Sequence, residues 1–225
     1  MNKVSAIILA AGSGSRFGEK KQFKKLNGSP IWTYSLDSFI KSNCFQEFIL
    51  VVSKESLNEL KDSEEFYQFS KTINIKLACG AESRQDSVYS GLQLVDENNN
   101  IICIHDAARP FVKQEYIREV IKACSDFDGS ILATPAIDTI KKIKDGIIER
   151  TIDRNSIWMA QTPQAFHKDK LLYAIELRSN IKVTDESTLM ELAGFKIKII
   201  RSDTSNLKIT RKIDWELAKI IESEK

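Results

Sequence analysis

Much of what would mark a metal, membrane or nucleic-acid protein is missing from this chain. There are only two histidines, His105 and His167, on separate segments, and the four cysteines, Cys44, Cys79, Cys103 and Cys124, include no C-x-x-C pair. A zinc site built on Cys/His spacing is therefore excluded, and buried thiols in a reducing compartment are expected. No apolar run has the length of a membrane span, and the residues after Met1 lack the layout of a signal peptide, so a cytoplasmic, non-membrane protein is expected. Thirty-three basic against 31 acidic residues leave a net charge of +2, with no surplus to attract nucleic acid or an anionic membrane. There are no internal repeats or low-complexity tracts. The string G-x-x-x-x-G-K-[ST] is absent, which argues against a P-loop NTPase.

What is present is a chain of 225 residues, 42% hydrophobic, enough for one large core with a small appendage. Val4–Leu9, Phe48–Val52, Ile75–Ala78, Ile101–Ile104 and Ser130–Ala133 are short runs rich in Ile, Val and Leu and read as buried strands. Between them lie helical patterns. Ser29 as N-cap and Pro30 as first helical residue open "IWTYSLDSFI"; further helices are expected at Gln85–Leu94 and at Glu115–Cys124, with Tyr116, Ile117, Val120, Ile121 and Cys124 on one stripe. This alternation predicts an α/β fold with a mostly parallel, doubly wound sheet. The pattern breaks after Pro135, where "IDTIKKIKDGIIERTID" alternates about Asp145-Gly146, a hairpin signal. A two-stranded ribbon is marginal alone and should pack on something. Helices at Lys168–Leu177 and Thr184–Leu192, a strand at Lys196–Ile200 and a helix at Asp214–Ile221 complete the chain.

The loop "ILAAGSGSRFGEKKQF" (8–23) leaves the first strand through glycines into positive charge. Backbone N–H groups at such a turn, with Arg16, Lys20 and Lys21, suit a phosphate chain. A dinucleotide fingerprint, G-x-G-x-x-G, fits Gly12 and Gly14 but meets Phe17 where its third glycine belongs, and no acidic residue ends the second strand at Val52. Both features count against a nicotinamide-dependent oxidoreductase, and a triphosphate fits the loop better. "IHDAARPF" (104–111) follows a strand whose end should lie at the ligand edge of the sheet. Asp106 there is a candidate Mg²⁺ ligand and Arg109 a phosphate contact; the plainer alternative is an Asp–Arg pair closing a turn before Pro110. "CGAESRQDSVYSGL" (79–92) is a second Gly–helix junction where backbone and Ser87 can meet a base edge, or it is only a polar helix start. Taken singly, Arg154 reads as a solvated charge, Lys208 in "NLKIT" as a strand-edge lysine and His105 as structural.

The strings "AAGSGSR", "KQF", "SRQDSV", "HDAARP", "DRN", "QTPQ", "VTDES" and "NLKIT", in this order from Ala10 to Thr210, resemble the signatures of the 2-C-methyl-D-erythritol 4-phosphate cytidylyltransferases of the non-mevalonate isoprenoid route. The resemblance implies a Rossmann-like nucleotidyltransferase sheet in one domain, with a β-arm at about 136–156 that builds a homodimer. It implies CTP and a polyol phosphate as substrates and Mg²⁺ as cofactor. Arg16 and Lys21 would stabilise the pentacoordinate phosphorus, and Arg154 and Lys208 would position the incoming phosphate; Lys20 would be solvated. Ala10, Ala11, Gly12, Gly14, Gly80, Ala81, Glu82, Ser87, Asp106 and Ala107 would hold the nucleotide. Asp106, Arg109, Thr139, Thr162 and Thr184 would join Arg154 and Lys208 around the acceptor. The related ribitol-5-phosphate cytidylyltransferases are the alternative; "AAG" and "HDAARP" resemble the erythritol enzymes more. The chain departs from the family in having Ala81 after Gly80, where paired glycines are common, and Ser205, where Asp is common. A sensor that kept the fold without catalysis could have lost any of the four cations or Asp106, and all are present.

Overall fold

The computed structural model describes residues 3–15, 17–177 and 181–224. Its first strand, β1 (Val4–Ala10), is buried along its whole length and leads through the glycine loop to a short ribbon, β2 (Lys25–Leu26) and β3 (Ser29–Pro30). Helix α1 (Ile31–Lys41) follows directly. Ser29 is not its N-cap. Pro30 is, without a side-chain bond, and Ser29 is used in the ribbon, while the Thr33 hydroxyl donates to the Pro30 carbonyl instead.

Next come β4 (Glu47–Val52), α2 (Lys54–Lys61), α3 (Glu64–Thr72), β5 (Ile75–Cys79), α4 (Arg84–Leu92), β6 (Ile101–Asp106), α5 (Gln114–Ala123) and β7 (Gly129–Pro135). Ser53, Ser63 and Ser83 each accept a backbone N–H three residues on and so start α2, α3 and α4. The hairpin is β8 (Ile140–Lys144) and β9 (Ile147–Ile152), turning on Asp145 and Gly146 with φ of 50° and 80°. That is the left-handed pair a two-residue hairpin turn demands. β10 (Trp158–His167), α6 (Lys168–Leu177), α7 (Glu186–Leu192), β11 (Ile197–Arg201) and α8 (Lys212–Ser223) complete the fold.

Among the described residues, seven strands form one sheet in the order β11-β7-β10-β6-β1-β4-β5, with β10 antiparallel to both neighbours and the other pairs parallel. Strand alternation divides the core between the two faces. Val4, Ala6, Ile8 and Ala10 join Trp32, Leu36, Phe39, Ile117 and Val120 on one side. Ile7 and Leu9 join Val88, Leu92, Leu171, Ala174, Leu189 and Met190 on the other. Each fully buried Ile or Leu contributes roughly 1.5–3 kcal/mol. The chain winds outward from β1 to β5, then returns to place β6 on the far side of β1. The β1/β6 boundary is thus the switch point at which open α/β sheets bind ligands beyond their carboxyl ends. Among the described residues no helix is long and apolar enough to cross a membrane. All four cysteines are free thiols; Cys103 and Cys124 are buried as expected, Cys44 is half-buried, and Cys79 is exposed.

Candidate active site

The loops after β1, β5 and β6 and the segment around Lys208 surround a cleft of about 400 Å³. Ala11, Gly12, Lys21, Ala81, Glu82, Ser87, Asp106 and Lys208, all expected in the site, line it together. Arg16 lies outside the described residues. The loop after β1 is shaped by Gly14, whose φ is +71° and where a Cβ would come within 1.8 Å of the Glu19 carbonyl oxygen. Its carbonyl accepts the N–H groups of Phe17 and Gly18. Phe17 is buried and meets Trp215 of α8 edge-on with ring centroids 6.0 Å apart. The residue that broke the dinucleotide pattern is therefore an anchor, clamping the loop to the C-terminal helix. Gln22, also buried, donates to the Gly12 carbonyl at 2.8 Å and ties the far end of the loop back to its start.

Lys20 is exposed to solvent, as expected, but it is also tied down. Its ammonium donates to Ser53 Oγ (3.3 Å) and Ser56 Oγ (3.4 Å) and pairs with Glu55 at 3.4 Å, linking the loop to the start of α2. Loop 80–83 is held by Ser87, whose hydroxyl donates to the Ser83 carbonyl (2.9 Å) and accepts from the Ala81 N–H (3.0 Å). Gly80 lies where a Cβ would come within 2.3 Å of Ala11 Cβ, so the loops after β1 and β5 meet over the end of β4. Ala10 ends β1, and Ala107 N–H donates to the Leu9 carbonyl, closing the β6 end against it.

Asp106 is the centre of the charge. Arg84 Nε donates to Oδ1 at 3.0 Å and Lys208 Nζ to Oδ2 at 2.5 Å. Burial alone would raise the Asp106 carboxyl, but Arg84 and Lys208 outweigh it and hold the group well below the usual carboxylate range. Arg84 also donates through Nη1 to both oxygens of Glu186, at 3.0 and 2.8 Å. Burial works against the Arg84 cation, but the two carboxylates keep it firmly protonated. Neither Arg84 nor Glu186 was expected in the site. The signals available were "SRQDSV" and "VTDES", which carry them but do not show that α4 and α7 face each other.

The plainer reading of Asp106, a side-chain pair with Arg109, does not hold. Arg109 N–H donates to the Asp106 carbonyl in a turn, but its buried guanidinium donates to the Asn206 carbonyl at 2.7 Å. That bond and Ile209 N–H to Ala108 O (2.8 Å) fasten the 206–209 segment to the β6 loop. Lys208 thereby reaches Asp106 from an irregular segment, not from a strand edge. Thr162 is buried beneath Asp106: its Oγ1 accepts the Asp106 N–H at 3.0 Å and lies 3.1 Å from His105 Nδ1. Because His105 Nε2 faces the Arg109 carbonyl at 3.1 Å, Nε2 carries the proton and Nδ1 accepts from Thr162. Burial pushes the His105 ring down to about 3, so it is a neutral strut, as its sequence position implied. Thr184 is exposed just before Asp185, the residue that caps α7. Thr139 and Arg154 do not line the cleft; both are exposed at the base of the arm, where Arg154 donates to the Ile137 carbonyl.

A family model described as IspD, 2-C-methyl-D-erythritol 4-phosphate cytidylyltransferase, matches residues 4–224. The chain belongs to this family. Its members are nucleotidyltransferases, and this protein is an enzyme of that class. It is 37% identical over 222 residues to the 2-C-methyl-D-erythritol 4-phosphate cytidylyltransferase of Clostridioides difficile, covering 96% of this chain and 92% of that protein. It is 39% identical over 227 residues to a bifunctional IspD/IspF enzyme of Desulfotalea psychrophila, matching 100% of this chain but spanning only 58% of that longer protein. The crystal structure of 4-diphosphocytidyl-2C-methyl-D-erythritol synthase from Anaerococcus prevotii superposes with a TM-score of 0.86 at 32% identity, covering 99% of each chain. The family's fold is thus the observed one, a mostly parallel sheet with flanking helices.

Proposed function

We propose that the protein transfers the cytidylyl group of CTP to 2-C-methyl-D-erythritol 4-phosphate, giving 4-diphosphocytidyl-2-C-methyl-D-erythritol and pyrophosphate for isoprenoid precursor synthesis. The observation that carries this reading is a cleft at the β1/β6 switch point whose glycine loop, Lys20, Lys21, Arg84 and Lys208 surround one buried carboxylate. The acceptor phosphate is already an anion, so attack on the α-phosphorus requires no general base. Bringing two anions together requires cations fixed beforehand. Lys21 and Arg16 fill that role for the charge that builds on the α-phosphoryl oxygens, Arg16 by family resemblance alone. Lys208 and Arg154 receive the incoming phosphate. Backbone groups of Ala10–Gly14 and Gly80–Glu82 hold the nucleotide, and free thiols fit a reducing, cytoplasmic setting.

Asp106 suits a Mg²⁺ ion. Each of its oxygens accepts one side-chain hydrogen bond, leaving lone pairs on both, and Mg²⁺ commonly takes one or two carboxylates and completes its shell with phosphates and water. When bound, the ion neutralises triphosphate charge. In the chain itself, Asp106 sets the position of Lys208 and so shares in presenting the acceptor.

The arm leaves Ile143, Ile147 and Ile148 at least 60% exposed, apolar surface that a two-stranded ribbon cannot bury alone. A second copy of the chain is its natural cover, and Arg154 and Thr139 would then enter the partner's cleft. Pyrophosphate release with CTP and Mg²⁺ against a panel of sugar and polyol phosphates tests the activity. Turnover of ribitol 5-phosphate and not methylerythritol phosphate overturns the proposed acceptor. Mixing inactive Arg16→Ala and Arg154→Ala proteins tests the sharing. About half of the dimers should be mixed, so up to roughly a quarter of all sites recover under two-fold pairing. Subunits that exchange yet stay inactive place Arg154 outside its partner's site.

A further inference from the structure

Arg84 is oriented in a way that neutralising Glu186 does not explain. A guanidinium paired with one carboxylate usually presents two nitrogens in parallel bonds. Here a single nitrogen, Nη1, serves both oxygens of Glu186, Nε is turned to Asp106 at 3.0 Å, and Nη2 is buried without an acceptor among the described residues. The fork gives up its better fit to Glu186 in order to reach Asp106. Glu186 is 1% exposed at the start of α7, so it is a fixed post for Arg84. The neighbouring Gln85 accepts the Val183 N–H at 3.2 Å and fastens α4 to the segment that leads into α7.

The consequence falls on Lys208. Asp106 divides its two oxygens between Arg84 and Lys208, and the Lys208 side chain is still 38% exposed in the cleft wall. A carboxylate with Lys208 as its only counter-charge would hold that ammonium for itself. Arg84 takes one oxygen and pins the carboxylate, leaving Lys208 able to turn part of its charge outward. Resting on the cytidylyl-transfer reading, we infer that Arg84, anchored by Glu186, is a positioning residue that fixes Asp106 and thereby frees Lys208 for the acceptor phosphate.

Arg84→Gln alone would leave Glu186 as a buried, unpaired charge and can fail to fold. The decisive protein is therefore the R84Q/E186Q double variant, neutral at both positions. Its melting temperature and CTP affinity should stay close to wild type. Calorimetry without CTP or Mg²⁺ should show methylerythritol phosphate binding about tenfold weaker, the loss of roughly one charge-assisted contact. Its kcat should fall about 10²-fold, as for a displaced reacting group. Arg84→Lys, which keeps the charge but cannot span both carboxylates, should lie between the double variant and wild type. A folded double variant with wild-type acceptor binding and kcat overturns the inference, and so does one that binds acceptor normally yet melts far lower, since Arg84 would then be only structural. Wild-type protein that does not turn over CTP with methylerythritol phosphate fails the functional reading instead, a separate result from the same assay.

Discussion

At the amino end of the sheet Glu47 is buried and accepts from Ser5 Oγ (2.8 Å), the Asp96 N–H (3.1 Å), Asn99 Nδ2 (3.3 Å) and Lys76 Nζ (2.5 Å). At the carboxyl end the Asp106 side chain, also buried though less completely, receives among the described residues only Arg84 and Lys208. Both carboxylates are held ionised, but by different means. Glu47 is closed by the fold's own neutral dipoles with one lysine added, and none of those donors lines the cleft. Asp106 is balanced by cations that do line it and that an anionic ligand can recruit. A buried carboxylate met mainly by neutral donors belongs to stability; one met by cations that line a cleft at a switch point belongs to function.

Asp106→Asn breaks the comparison most severely. It keeps the shape but releases both cations. Arg84 retains Glu186 and Lys208 can turn to water, so the fold should survive with little change in melting temperature. The kcat should fall roughly 10²–10³-fold, the size of effect found when a preorganised charge is removed. The Mg²⁺ concentration for half-maximal rate should rise. A Mg²⁺ titration that superposes on wild type would make Asp106 structural.

Glu47→Gln should give the opposite profile, with kcat unchanged and stability lower by about 3 kcal/mol, near the low end for a broken buried pair because Lys76 is partly exposed. Its pH signature is specific. Burial raises the Glu47 carboxyl, but the bonds from Lys76, Asp96 N–H and Ser5 outweigh it, and the group sits below its ordinary value. The stability it contributes is therefore complete above the unfolded value of about 4.3 and is lost as pH falls through that value and the lower folded one. Unfolding free energies from urea titrations between pH 6 and 3 should fall less steeply in Glu47→Gln, by at most about 1.4 kcal/mol per pH unit. Parallel acid limbs would show that Glu47 carries no such linkage.

The parallel strands and the arm were legible because their signals are local: unbroken Ile, Val and Leu runs, and Asp145-Gly146 between alternating residues. β10 was not, since "DRNSIWMAQTPQAF" mixes polar residues with Pro163 and becomes a strand only because β6 and β7 pair with it on both sides. α2 and α3 were missed although Ser53 and Ser63 cap them, since most of their residues are polar and α3 buries none completely. In the site, residues that follow strand ends were readable, as with Gly12, Gly80 and Asp106. Arg84 and Glu186 were not, because their meaning depends on 102 residues of chain bringing α4 against α7. Phe17 was read only as a missing glycine; its packing on Trp215, 198 residues away, is a tertiary fact.

The smallest expected effect sharpens the contrast at the level of backbone packing. The carboxyl end of the sheet is drawn tight not by side-chain networks, as around Glu47, but by Gly80 lying against Ala11. The φ of Gly80 is not in the left-handed region, so an alanine there is limited by space alone. Its Cβ would stand 2.3 Å from Ala11 Cβ and 3.2 Å from both Ser87 Oγ and the Val52 carbonyl. The first contact is far too close, so the loops after β1 and β5 must part, and these are the two loops proposed to hold the nucleotide. Gly80→Ala should raise the KM for CTP roughly tenfold, about 1.4 kcal/mol of binding, with the acceptor KM moved less. Deleting the other methyl restores the fit: Ala11→Gly in the Gly80→Ala background should recover most of the CTP affinity, while Ala11→Gly alone changes little. If Gly80→Ala binds CTP normally, or if Ala11→Gly fails to rescue it, the contact between these two loop ends does not set the width of the nucleotide site.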